Sequence, residues 1–168
     1  MKKWYGLTII LTVALDRLVK LWAERVLPLQ EGNTIPLIQD VFHLTYVQNR
    51  GAAFGLLQGQ FVLFYIITAA LVCYAAWVLF LRKPQTRGIG VAIALLTGGA
   101  LGNFYDRIAY GYVIDLFDFR LINFAVFNVA DAAICVGVGL WALLYILHDV
   151  QAAKKERSNG NQAANDRP

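Results

Sequence analysis

The sequence contains a single serine, Ser158, in the polar C-terminal stretch, which excludes a serine hydrolase. Cysteine is almost as scarce: Cys73 and Cys135 both sit deep in apolar runs, so no disulfide framework is expected. The two histidines, His43 and His148, are too few and too far apart for most catalytic zinc sites. Charge is thin as well, at 15% of 168 residues against about 25% in a soluble domain. What is abundant is apolar surface. Hydrophobic residues make up 58% of the chain and the mean hydropathy is +0.53, whereas soluble domains are roughly 45–50% apolar. A soluble globule of this length could not hide so much, so lipid must cover part of it; disorder and collagen-like repeats are excluded.

Four segments, 4–27, 61–81, 88–105 and 124–147, approach or exceed the roughly 20 mostly apolar residues needed to cross a bilayer. The expected fold class is therefore an all-α integral membrane protein, a four-helix bundle forming one domain over 1–150. A disordered cytoplasmic tail is expected over 151–168. Asp16 and Arg17 interrupt the first run where a cleaved leader would need small residues, so that run is read as a retained span. Lys2, Lys3, Arg82, Lys83, Arg87, Lys154, Lys155, Arg157 and Arg167 all fall on one side of this arrangement, which puts both termini in the cytoplasm. The net charge of +4 is then a topology signal, not a nucleic-acid footprint. The other side receives two loops, 28–60 and 106–123. In the first, the β-branched and aromatic stretch Val41-Phe42-His43-Leu44-Thr45-Tyr46-Val47 predicts a strand, and with it a small extracytoplasmic β-structured element. A loop this long is more often functional than passive and is a candidate lid.

Ionisable residues inside spans cost roughly 2.5–3.5 kcal/mol on insertion scales, so each needs a reason. Asp16 lies about 18 Å outward along segment one and Asn103 about 22 Å along segment three, while Asn128 and Asp131 are about 6 and 10 Å from the outer end of segment four. All fall in the outer half of the bilayer, and segment two carries no charge. Asn128 and Asp131 share a face at i,i+3, and Asp16 and Lys20 are spaced for an ion pair. Asp115, inside the apolar stretch Tyr112-Val113-Ile114-Asp115-Leu116-Phe117, comes within reach of Asp131 if that stretch dips toward the bilayer. Two carboxylates in one apolar site share a proton, so one can activate water while the other polarises a carbonyl. That is amide hydrolysis with no metal and no cofactor. A small proton-coupled transporter or channel subunit using Asp16 and Asp131 is an equally physical use of the same acids, and predicts polar residues strung across the whole depth. A non-catalytic membrane chaperone, in which the acids only join helices, is a third reading.

At these residues the sequence resembles the bacterial lipoprotein signal peptidases (signal peptidase II). The resemblance rests on Asp16-Arg17-Leu18-Val19-Lys20, Asn49-Arg50-Gly51-Ala52-Ala53-Phe54, the run Gly98 to Arg107, Val113-Ile114-Asp115-Leu116, and Phe127-Asn128-Val129-Ala130-Asp131-Ala132. Five stretches in the family's order are specific where one would be weak. The resemblance implies an intramembrane aspartyl endopeptidase of the bacterial inner membrane, inhibited by globomycin. Such an enzyme removes the signal peptide from diacylglyceryl-modified prolipoproteins by cutting before the lipidated cysteine. It implies Asp115 and Asp131 as the catalytic dyad, with Asn103, Arg107 and Asn128 as supporting polar residues. Asp16 and Lys20 would form a structural pair, and Asn49 with Gly51, Ala53 and Phe54 would lie beside the substrate. The expected partners are prolipoprotein substrates and membrane lipid, not nucleic acid, and the expected state is a monomer. The chain departs from the family pattern at Arg17, Leu116 and Ala125, none of them in the dyad.

Plainer readings attach to the remaining polar residues. Asp106 is expected to pair with its neighbour Arg107, and Asp118 to be solvated. Asn128 either bonds the dyad or substrate backbone or serves as a helix-packing amide. Gly98, Gly99 and Gly102 are read as close helix packing, Cys135 as an inert filler, and Trp4 as an interfacial anchor.

Overall fold

The computed structural model describes residues 2–52 and 56–165, excepting the side chains of 152–165. Helix α1 (Lys2–Val26) leads through two short 3-10 turns into strands β1 (Thr34–Ile38) and β2 (Phe42–Asn49). Helix α2 (Phe61–Ala76) ends in a π-helical turn, Trp77–Leu81, and is followed by α3 (Arg87–Tyr110), β3 (Val113–Asp118) and α4 (Val129–Asn165). The stretch read as a disordered tail is thus helical as far as Asn165. Its Ala152-Ala153-Lys154-Lys155-Glu156-Arg157 segment consists of strong helix formers.

Among the described residues, three helices are long and apolar enough to cross a membrane: Phe61–Leu81, Arg87–Tyr110 and Val129–Gln151. Helix α1 has the length, about 37 Å at ~1.5 Å per residue, but not the composition. Its second half carries Asp16, Arg17, Lys20, Glu24 and Arg25. Those charges are ordered by face. Tyr5, Thr12, Asp16, Lys20 and Ala23 recur at helical spacing and are buried, while Trp4, Ile10, Leu15, Leu18 and Trp22 point outward. The apolar stripe faces out and the polar seam faces in, the reverse of a soluble amphipathic helix.

Small residues let the helices close on that seam. A Cβ on Gly98 would stand 2.8 Å from Thr12 Cβ, and one on Gly102 would stand 2.7 Å from Asp16 Oδ2 and 3.3 Å from Ala130 Cβ. Gly102 therefore marks the point where α1, α3 and α4 meet, which fulfils the packing role expected of the glycines.

Two boundaries differ from expectation. Helix α3 runs on to Tyr110 instead of ending at 105, and Gly111 stops it in the left-handed region (φ 72°), donating its N–H to Arg107 O. Helix α4 starts at Val129 instead of 124, because 124–128 is drawn into the sheet layer. Phe127 N donates to Phe117 O, and Phe127 O accepts from Leu116 N and Phe117 N. The outer β-element is a three-stranded antiparallel sheet ordered β1-β2-β3, with Val47 opposite Asp115 and Asn49 opposite Val113. The predicted strand is β2. The sheet seals the bundle through Leu116, which packs with Ala23 and Leu27 of the α1 end.

Candidate active site

The seam between α1, α3 and α4 opens under the sheet into a cavity of about 400 Å³. Asp115 and Asp131 both line it, as do Asn49, Gly51, Asn103 and Arg107. Strand β3 carries Asp115 into the interior, where Val113, Ile114 and Leu116 are also buried. Asp131 lies in the first turn of α4, one turn below Asn128.

Amide groups hold both acids. Asn49 Nδ2 donates to Asp115 Oδ2 at 2.9 Å, and Asn128 Nδ2 to Asp115 Oδ1 at 2.7 Å. Asn103 Nδ2 donates to Asp131 Oδ1 at 2.6 Å, and the Asn128 backbone N–H reaches Asp131 Oδ2 at 3.2 Å. In return Asn128 Oδ1 accepts from Asp131 N at 2.9 Å. Asn128 and Asp131 therefore form a reciprocal cap on α4, satisfying helix-end donors that would otherwise be orphaned. Asn128 is thus a helix cap that touches both acids and, through Nδ2 to Asn103 Oδ1 at 3.1 Å, an amide that ties the start of α4 to α3.

Asp115 is 1% exposed, and burial pushes its carboxyl up to about 7; the nearby charge of Asp131 adds to this, while the Asn49 and Asn128 hydrogen bonds oppose it. A proton is thereby retained near neutral pH in a site holding two acids.

Asn49 is fixed at both ends of its amide, since its Oδ1 accepts from Gly51 N at 2.9 Å. A side chain at Gly51 would collide with Leu56 O, so the turn needs glycine there. Arg107 Nη2 donates to Gly51 O at 3.0 Å, its guanidinium lies 4.1 Å over the Phe64 ring, and its buried Nε has no partner among the described residues. Ala53 and Phe54, expected beside the substrate, lie outside the described residues.

Behind Asn103 stands a buried charge cluster. Lys20, 0% exposed, places its ammonium 2.8 Å from Asp16 Oδ2 and 2.9 Å from Asp106 Oδ2, and donates to Asn103 Oδ1 at 2.9 Å. Asp16 Oδ1 accepts from Ala130 N at 2.9 Å at the start of α4. Asp106 is not paired with Arg107 as expected. Adjacent helical residues point about 100° apart, and Asp106 instead binds Arg17 and Lys20 and accepts from Ile114 N. Arg17 also donates to the Tyr110 hydroxyl at 3.1 Å and covers the Tyr105 ring at 4.7 Å. Two acids and two bases leave the cluster neutral, the condition under which buried charge is tolerable.

The segment 124–127 escaped the sequence reading. It walls the cavity, yet its apolar residues are indistinguishable by composition from a helix start. Asp118, expected to be solvated, is bonded by Arg120 Nε and Thr45 Oγ1. His43 is a strand residue on β2, as expected.

A family model described as "Signal peptidase (SPase) II" matches residues 8–147. The chain is 45% identical over 143 residues to the lipoprotein signal peptidase of Clostridioides difficile, a match covering 85% of this chain and 94% of that one. It is 46% identical over 141 residues to the lipoprotein signal peptidase of Brevibacillus brevis (83% and 93%) and 41% identical over 153 residues to that of Streptococcus pneumoniae (91% and 94%). A solved structure described as a bacterial membrane enzyme superposes with a TM-score of 0.77 at 31% identity, covering 88% of this chain and 90% of the other. None of these relatives is a transporter or channel subunit.

Proposed function

The chain belongs to the signal peptidase II family, and we propose that it removes the signal peptide from diacylglyceryl-modified prolipoproteins, cutting before the lipidated cysteine. Asp115 and Asp131 form the catalytic dyad of this reading. The observation that carries it is two amide-held carboxylates lining one cavity, with the Asp115 carboxyl raised to about 7. The ionised member takes a proton from water as that water attacks the scissile carbonyl, and the protonated member donates to the carbonyl oxygen. The proton taken from water then passes to the amine nitrogen as the C–N bond breaks, and the other carboxylate recovers its proton from the gem-diol, which restores the dyad.

Arg107 and Asn128 steady the substrate and the acids, Asn49 and the Gly51 turn border the cut site, and Asp16, Lys20 and Asp106 brace the walls. Helix α1 is the fourth span, its charges neutralised inside the bundle. Both termini are cytoplasmic, as the basic residues around 2–3, 82–87 and 154–157 favour. The cavity then opens near the outer face of the cytoplasmic membrane, with the acyl chains of the substrate left in the outer leaflet and the 28–60 loop over the site. The enzyme works as a monomer.

A gel-shift cleavage assay on a diacylglyceryl-modified prolipoprotein, in detergent with EDTA present, tests this. Wild type should cleave, and Asp115→Asn and Asp131→Asn at equal folded yield should not. A variant that still cleaves moves that aspartate to a structural role, and an inert wild type overturns the substrate assignment.

A further inference from the structure

A second groove, of about 450 Å³, lies at the other end of the bundle. Helix α2 begins at Phe61, beside Phe64 and Tyr65, which touch Arg107, and it reaches this groove about 24 Å farther on, at ~1.5 Å per residue. Tyr74 and Trp77 form one wall, and Trp141 and Tyr145 of α4 form the other. Both helices pack on α3, whose Ile89 and Ile93 make the floor. Arg82 and Lys83 stand at the mouth.

Three features make this more than a gap between helices. The π-turn brings the Arg82 N–H onto Trp77 O at 2.7 Å and folds the guanidinium over the Trp77 ring at 5.3 Å, so the cation is held at the groove and not trailed into solvent. Such turns concentrate at functional positions. No acidic residue lines the groove, and among the described residues neither Arg82 nor Lys83 has an ion-pair partner. The aromatic walls are left half open, with Trp77 at 47% and Tyr145 at 49% exposure.

We propose that this groove binds an anionic phospholipid in the leaflet opposite the dyad. Its phosphate sits between Arg82 and Lys83, and one acyl chain lies along the aromatic walls over Ile89 and Ile93. A guanidinium offers paired N–H donors to phosphate oxygens while its face stays on an indole, and the lysine adds a point charge. The amphipathic rings suit the boundary between headgroup and chain. A zwitterionic lipid has the same chains, but its own cation would face Arg82 and Lys83. The site rests on the membrane placement alone and is independent of the peptidase reading.

The test uses the full chain, delipidated in neutral detergent and offered phosphatidylglycerol and phosphatidylcholine of identical chains, with retained lipid counted by native mass spectrometry. Wild type should retain phosphatidylglycerol about tenfold or more over phosphatidylcholine, as two cations close to an anionic headgroup imply. Arg82→Gln/Lys83→Gln should bring the ratio near one without changing the melting temperature in phosphatidylcholine. Lys83→Gln alone, which leaves the Trp77 contact intact, should give an intermediate ratio. Parity in the wild type, or an unchanged preference in the double variant, overturns the site. Complete displacement by millimolar inorganic phosphate would show a bare anion site and overturn the lipid assignment.

Discussion

Lys20 donates a 2.9 Å hydrogen bond to Asn103 Oδ1, and together with the Asn128 Nδ2 donor at 3.1 Å it fixes which end of the Asn103 amide faces Asp131. With its oxygen held by an ammonium, Asn103 can offer only Nδ2 to the carboxylate. Lys20 is therefore a positioning residue acting through Asn103. Lys20→Met should destabilise the protein by on the order of 3–5 kcal/mol, because Asp16 and Asp106 would be left buried against too little positive charge. Pairing it with Asp106→Asn should recover part of the melting temperature in detergent. It should not recover kcat, which is expected to stay about a hundredfold low with KM little changed. Full recovery of kcat in the double variant would reduce Lys20 to a structural counter-ion.

Asn128→Ala removes the cap of α4 and a donor to Asp115 in one step. The expected cost is about 1–2 kcal/mol of stability from the lost cap and about 10²–10³ in kcat from the lost donor. Thermal melts and cleavage rates measured on the same preparation separate the two effects. Wild-type kcat in a destabilised variant would assign Asn128 to the helix alone.

The raised Asp115 carboxyl sets a pH dependence. The substrate-free dyad should lose its shared proton as pH climbs through about 7, so kcat/KM should fall on the alkaline side with an apparent midpoint there. The same group also makes stability depend on pH. The unfolded carboxyl ionises near 3.8 and the folded one near 7, so below 4 neither state is penalised. Between about 4 and 7 only the unfolded state loses the proton, and this group's contribution falls as pH rises, levelling above 7. A kcat/KM profile flat to pH 9 would contradict the shared proton.

Gly102→Ala would drive a methyl to 2.7 Å from Asp16 Oδ2 at the junction of three helices. A loss of about 1–3 kcal/mol is expected, the usual cost of overpacking. Gly6→Ala, where nothing lies within 4 Å of the new methyl, should not destabilise and should gain up to about 1 kcal/mol from the helix propensity of alanine, so it serves as the control in the same melting experiment.

Much of the candidate site could be read in the sequence because polar residues in apolar runs are conspicuous. Asp16, Lys20, Asn103, Asn128 and Asp131 each needed a partner in lipid, and the structure supplies one for every member of that set. Partner choice was less legible. Asp106 and Arg107 are adjacent in sequence, but helix geometry turns them apart, and the ion-pair partners of Asp106, Arg17 and Lys20, lie far upstream on α1. The strand Val113–Asp118 and the segment 124–127 were ambiguous because a short apolar run fits a strand, a loop or a helix start equally well. Long-range pairing resolves them: Val113–Asp118 by its ladder with β2, and 124–127 by the bonds of Phe127 to Leu116 and Phe117.

The inward polar seam of α1 also bears on how the chain is made. Its bonds run to residues far downstream: Lys20 to Asn103 spans 83 positions, and Asp16 to Ala130 spans 114. During synthesis α1 emerges first, and its Asp16–Lys20 pair must wait for α3 and the start of α4 before the remaining bonds can close. The first helix is thus the last to be completed. Truncations ending before Ala130 should leave it the most easily extracted or degraded part of the nascent protein.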